Sequence, residues 1–134
     1  MGSVGNNQSN AMAYADTDAY GVLNLVPVNE VDSDKVNKIA VDIEKNGWNG
    51  LPILYSENYG ILLTGSHRQA ALQELDNDGF DLSSLGNIAV NVDDIIEKWS
   101  EETGNTVDDI QYDNLGAVFE GTWLEKYKKY IEEW

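Results

Sequence analysis

The chain has 134 residues, 24 acids against 8 bases and a formal net charge of −16, with one histidine and no cysteine. Disulfides, thiolate metal sites and cysteine nucleophiles are excluded, and a lone histidine disfavours the common zinc sites. The charge is −2 over residues 1–19, −6 over 20–92 and −8 over 93–134, a field that repels nucleic-acid phosphates and disfavours direct binding of duplex DNA.

Residues 1–19, "MGSVGNNQSNAMAYADTDA", have no apolar period and are expected to form a flexible tail. Within it, Ser9-Asn10-Ala11-Met12 reads as a cloning scar, which leaves residues 1–11 open as native sequence. The tail has no basic-then-apolar leader, and no apolar run in the chain approaches ~20 residues, so a cytoplasmic protein without membrane spans is expected. "YGVLNLVPVNEVD" follows, with Val22, Asn24 and Val26 alternating against Leu23 and Leu25, the pattern of a strand buried on both faces. Pro27 should end its pairing. Asp32 or Ser33 can cap a helix from about Asp34, with Val36, Ile39, Ala40 and Ile43 as its apolar stripe and Asn46-Gly47 as its stop.

"ILYSENYGILLTG" holds two apolar runs around Glu57-Asn58-Tyr59-Gly60, which predicts a hairpin. A helix from about Ser66 to Asp76 should bury Ala70, Ala71 and Leu75. "DNDGFDLSSLG" reads as turn and loop, "NIAVNV" as a strand, and Asp93-Asp94 as the cap of a helix over "DDIIEKWSEETG". The last segment carries Val118, Phe119, Trp123, Tyr127, Tyr130 and Trp134 at helical spacing, as for a helix packed back on the core. The order predicts a small α+β (α/β-like) domain: a mixed sheet with flanking helices over 20–92, then a C-terminal helical extension over 93–134.

Between hairpin and helix lies "LLTGSHRQAAL", where the only histidine and the only arginine are adjacent. A helix N-terminus offers unpaired N–H groups and about half a positive charge. Gly65 allows a tight turn and lets an anion approach without a Cβ in the way. Ser66 can cap the helix and donate to an anion, Arg68 offers a planar fork, and His67 a further donor. With Thr64 before them, these residues describe an anion pocket of the kind that nucleotide phosphates exploit. The competing reading is ordinary capping by Gly-Ser, with Arg68 paired to Glu74 and His67 a surface histidine.

"VPVNEVD", the helix after it and "GWNGLPILYSENYGILLTGSHRQAAL" resemble the ParB/sulfiredoxin superfamily, the ParB N-terminal-like fold, over about residues 21–92. The resemblance implies a nucleotide, ATP or CTP with Mg²⁺, with its phosphates at Thr64, Gly65, Ser66, His67 and Arg68. Sulfiredoxins place a catalytic cysteine where Ser66 stands, so sulfinic acid reduction is not implied. Chromosome-partition ParB proteins bind CTP and add a DNA-binding helix-turn-helix, for which no basic helix is visible. The free serine kinases of the same fold use an acid after the first strand as general base, and Glu30 matches that place; the competing reading is a solvent-exposed loop acid or first-turn helix acid. The expected function is a small ParB-like nucleotide-binding domain supporting NTP hydrolysis or phosphoryl transfer. The alternative is a non-enzymatic acidic interaction protein, phage or plasmid borne, that mimics DNA or inhibits a partner with a basic surface. A third is a ParB-like nuclease or DNA regulator, for which Asp76, Asp78 and Asp81 are the candidate carboxylates.

Overall fold

The structure, a computed structural model, describes residues 14–27, 30–48, 51–110 and 115–122. Five strands form one mixed sheet: β1 Thr17–Asp18, β2 Val26–Pro27, β3 Ile53–Ser56, β4 Ile61–Leu62 and β5 Asn87–Asn91. Their order is β1-β5-β3-β4-β2. β3 runs parallel to β5 and β2 parallel to β4, while β3 with β4 and β1 with β5 are antiparallel. The helices are α1 Ser33–Asn46, α2 Ser66–Asn77, α3 Asp93–Thr103 and α4 Leu115–Phe119.

Side-chain alternation along the central strands feeds two cores. Ile53, Tyr55, Leu62 and Ile88 pack with Val36, Ala40 and Ile43 of α1 and Ala71, Leu72 and Leu75 of α2. Leu54, Leu63 and Val90 pack with Ile95, Ile96 and Trp99 of α3 and Val118 and Phe119 of α4. Every residue of β3 is buried, as a strand covered on both faces requires. The molecule is therefore the small α+β arrangement of sheet and flanking helices that the chain order predicts. Among the described residues no helix is long and apolar enough to cross a membrane.

Several elements form for the reasons read from the chain. The Asp32 carboxylate accepts the Asp34 N–H at 2.9 Å and caps α1. Gly47 closes it at φ 77°, donating its N–H to the Ile43 carbonyl. The predicted hairpin is β3–β4, with Tyr55 opposite Leu62 and Ser56 opposite Ile61. Its loop is tied to the start of α3, since Asp93 accepts from Ser56 Oγ at 2.5 Å and from the Asn58 N–H at 3.2 Å. Asp93 thus serves the hairpin; the cap position of α3 is Val92, which has no side-chain cap bond. The "DLSSL" stretch, expected as loop, makes a 3-10 turn at Leu82–Leu85 capped by Asp81.

Two further expectations are corrected. The tail ends earlier than residue 19: the Asp16 N–H bonds the Ala89 carbonyl at 2.8 Å, Thr17 pairs with Ala89, and Ala19 is fully buried. This pairing is made by backbone groups at a sheet edge and needs no apolar pattern. The strand expected through Val22–Val26 is instead a 3-10 turn at Ala19–Gly21 followed by turns, and only Val26–Pro27 joins the sheet. The carbonyls of Val22 and Leu25 accept from the Gln69 side-chain amide at 2.8 Å each, and that of Leu23 accepts from Gln73 at 2.7 Å. A helix therefore takes the acceptors that a neighbouring strand would have used. Pro27 sits within β2, where an edge strand tolerates the missing N–H. Residues 1–13 of the tail, and Trp123, Tyr127, Tyr130 and Trp134, lie outside the described residues.

Gln69 is buried and donates to two carbonyls, so Gln69→Ala should destabilise the fold by about 2–3 kcal/mol, the penalty of orphaning buried acceptors. Gln73, exposed and donating to the Leu23 carbonyl, should matter by less than about 1 kcal/mol when changed to Ala. Urea unfolding of the two variants checks the ranking; equal effects would contradict it.

Candidate anion site at the start of α2

The hairpin delivers the chain into α2 through Thr64 and Gly65. Thr64 is buried, and its Oγ1 accepts the Leu54 N–H at 3.1 Å, closing the end of the β3–β4 ladder. Its side chain thus serves the strand pair. Gly65 is the N-cap residue, in the left-handed region at φ 84° and ψ 28°. A Cβ there would stand 2.7 Å from Ile53 Cγ1, so the missing side chain makes room for the core. The glycine is needed for the turn and for contact with β3, which replaces the expected reason of clearing a path for an anion.

Ser66 is the first residue of α2, and it does not cap the helix; Gly65 holds the cap position and has no side chain to offer. Ser66 is 4 % exposed and its Oγ has no hydrogen-bond partner. Among the described residues the other buried side-chain polar atom in this state is Trp48 Nε1. Each such orphan is destabilising by about 1–3 kcal/mol. The charge around the helix starts is equally uneven. α1 carries Asp34 in its first turn and α3 carries Asp93 and Asp94, while α2 has no acid there and begins with His67 and Arg68. In a chain with 24 acids, the positive end of α2, alone among the three long helices described, is left without a carboxylate in its own first turn.

His67 and Arg68 are adjacent in sequence and diverge in space. The imidazole Nε2 accepts the Asp32 backbone N–H at 3.0 Å, just before α1 begins. The Arg68 guanidinium lies over the Trp48 ring, 4.8 Å from its centroid, just past the end of α1. A 14-residue helix is about 20 Å long, so the two side chains reach toward its opposite ends. Burial pulls the Arg68 pKa below its ordinary value, with the Asp42 carboxylate opposing, and the guanidinium stays charged. Burial also lowers the pKa of His67, helped by Lys35 and opposed by Asp32. Glu74, the acid expected beside Arg68, faces Asn37, whose amide reaches Glu74 Oε1 at 3.0 Å when oriented to donate.

Glu30 is exposed and lies two residues before Asp32, so the His67 bond brings its loop beside the α2 start. Trp48, Gln69 and Asp32 complete the surroundings and carry no motif in the sequence. The glutamines at positions 69 and 73, one helical turn apart on a helix with few polar partners, were the readable trace. Asp76, Asp78 and Asp81 do not gather: among the described residues no group of three or more His, Asp or Glu side chains could hold a metal ion. Asp81 is a cap, accepting from the Ser83 N–H and hydroxyl, which holds its pKa below the ordinary carboxylate value. Comparison of the chain with family models, curated proteins and solved structures returns no match.

Gly65→Ala combines a left-handed backbone with a Cβ driven into Ile53 and should destabilise by about 2–4 kcal/mol. Denaturant unfolding measures this, and adding Ile53→Ala should make the penalty at position 65 smaller. A Gly65→Ala variant as stable as the parent would show that the turn is not held as described.

Proposed function

We propose that this chain is a small nucleotide-binding domain that holds phosphate groups at the N-terminus of α2 and supports NTP hydrolysis or phosphoryl transfer. The observation that carries the reading is the buried Ser66 hydroxyl without an acceptor, at a helix start with no side-chain cap and no acid in its first turn. A phosphate oxygen is the acceptor such a donor set suits, and the helix dipole favours its charge. Arg68 follows two residues later in the same first turn, with its guanidinium steadied by Trp48. ParB-like resemblance at "TGSHRQAA" points the same way.

Glu30 is the general base of this reading, since its loop is held beside α2 through Asp32 and His67. A carboxylate there would take the proton of an attacking hydroxyl or water as the γ-phosphate is transferred. Without a carboxylate cluster among the described residues, Mg²⁺ would enter chiefly on the phosphates of ATP or CTP. When bound, the ion would neutralise charge on the transferred group.

A thermal-shift titration with ATP and CTP, with and without Mg²⁺, tests the binding. A nucleotide at 100 times its Kd should stabilise the fold by about 2.7 kcal/mol. Ser66→Ala should weaken binding about tenfold while leaving the ligand-free protein as stable or about 1 kcal/mol more stable, because it removes an orphaned hydroxyl. Glu30→Gln should keep the thermal shift and lower turnover by about 10²-fold or more. No shift with either nucleotide at millimolar concentration sinks the proposal and leaves the acidic-surface alternative.

A further inference from the structure

The histidine of the junction does something other than what its sequence position suggests. Its Nε2 is an acceptor, bonded to a backbone N–H that belongs to the cap residue of a different helix. A neutral imidazole accepting at Nε2 carries its proton on Nδ1. Asp32 in turn spends its carboxylate on the Asp34 N–H, so its backbone N–H has this one partner and its side chain another. The segment held in this way runs back through Val31 to Glu30, all of it exposed.

We propose that His67 is the positioning residue that latches the Glu30–Asp32 loop to the start of α2, and that protonation of its imidazole opens the latch. The chemistry is a matter of sign. A proton added at Nε2 turns the acceptor into a donor that faces another donor, the Asp32 N–H, at hydrogen-bond distance. Neither group can satisfy the other, so the loop has to move away or the ring has to turn. The charged groups around the imidazole do not cancel this effect. From the α1 side Lys35 opposes the imidazolium and the Asp32 carboxylate favours it; on its own helix the Arg68 guanidinium is directed to Trp48; Glu30 lies on the loop itself. Burial is the largest influence and favours the neutral ring.

The direction of the pH dependence follows. The folded-state pKa lies below the ordinary value of 6.5, so just below that value the unfolded chain binds more protons than the native one. The latch is then fully stabilising above the ordinary value and is lost as the pH falls through the lower folded value. The catalytic consequence rests on the function proposed above, because it is Glu30 that the latch holds beside α2. The latch itself does not require a ligand.

As the only histidine in the chain, His67 gives one set of imidazole signals. Nitrogen-15 NMR of the full-length protein without ligand should find Nδ1 protonated at pH 7.5. On acidification, the Asp32 amide shift should titrate with the imidazole midpoint and its protection from solvent exchange should fall at least tenfold. His67→Gln puts an uncharged acceptor at similar reach and should keep the Asp32 amide protected with no titration between pH 5 and about 7.5. His67→Leu should leave that amide unprotected throughout. An imidazole protonated at Nε2 at neutral pH, or an Asp32 amide that ignores the imidazole midpoint, overturns the latch. A second arm measures ATP and CTP binding between pH 5 and about 7.5. Affinity that rises on acidification in wild type and is lost in His67→Gln would make the imidazolium a phosphate ligand and overturn the latch as well. Coupled titration in a protein that binds no nucleotide supports the latch and removes only the function proposed above.

Discussion

The contact between Gly65 and Ile53 fixes where α2 begins relative to the sheet, and the candidate groups of the junction are all placed by it. Ile53 lies at the start of the central strand, fully buried, and its side chain occupies the space that any residue other than glycine would need at position 65. Because Gly65 is also left-handed, the chain can leave the hairpin after Thr64, turn at this residue and enter the helix with its first N–H groups at the C-terminal end of the hairpin. Thr64 adds the last bond of the strand pair from its side chain. Strand end, turn and helix start are thus one packed unit.

From that fixed start, α2 distributes polar side chains to three other segments. Gln69 and Gln73 take up the carbonyls of the turn at Val22–Leu25, and His67 accepts from the residue that caps α1. Arg68 covers Trp48 beyond the far end of α1. Its apolar residues Ala71, Leu72 and Leu75 meanwhile fill the core beneath. The polar work of the helix is therefore to satisfy backbone groups that are not in regular structure, which is what allows an irregular segment such as 22–25 to lie against a core.

How much of this could be read from the chain depended on what kind of force made each element. α1 and the β3–β4 hairpin are made by local pattern: an apolar stripe at Val36, Ala40 and Ile43 between a capping acid and a glycine, and two apolar runs around a four-residue loop. Both were legible. The segment before Val26 carried an equally good strand alternation, yet its acceptors were claimed by Gln69 and Gln73 from more than forty residues away. β1 formed the opposite way, from polar residues with no alternation, because an open edge beside β5 was available. At the junction the residue types were legible and their directions were not. Successive positions on a helix are rotated by about 100°, so adjacent His67 and Arg68 serve different neighbours. Ser66, read as a cap, became a first-turn residue because Gly65 had already taken the cap position.

The unused donors are the most informative feature of the molecule. A serine, threonine, asparagine or aspartate at an N-cap is an easy way to satisfy a helix start, and this chain uses aspartate for that purpose at Asp18, Asp32 and Asp81. At α2 it uses none, keeps a buried hydroxyl without an acceptor, and brings its only histidine and only arginine to the same turn. A positive side chain such as Arg68 in the first turn of a helix is destabilising, and so is an orphaned hydroxyl. Ordinary capping would remove both penalties, and the acids needed for it are abundant elsewhere in the chain. The arrangement is explained economically if the missing acceptor arrives from outside. Even then the division of labour differs from what adjacency in the sequence suggests. The Ser66 hydroxyl is the donor without a partner at this turn, Arg68 is engaged with Trp48, and His67 holds the residue that caps α1.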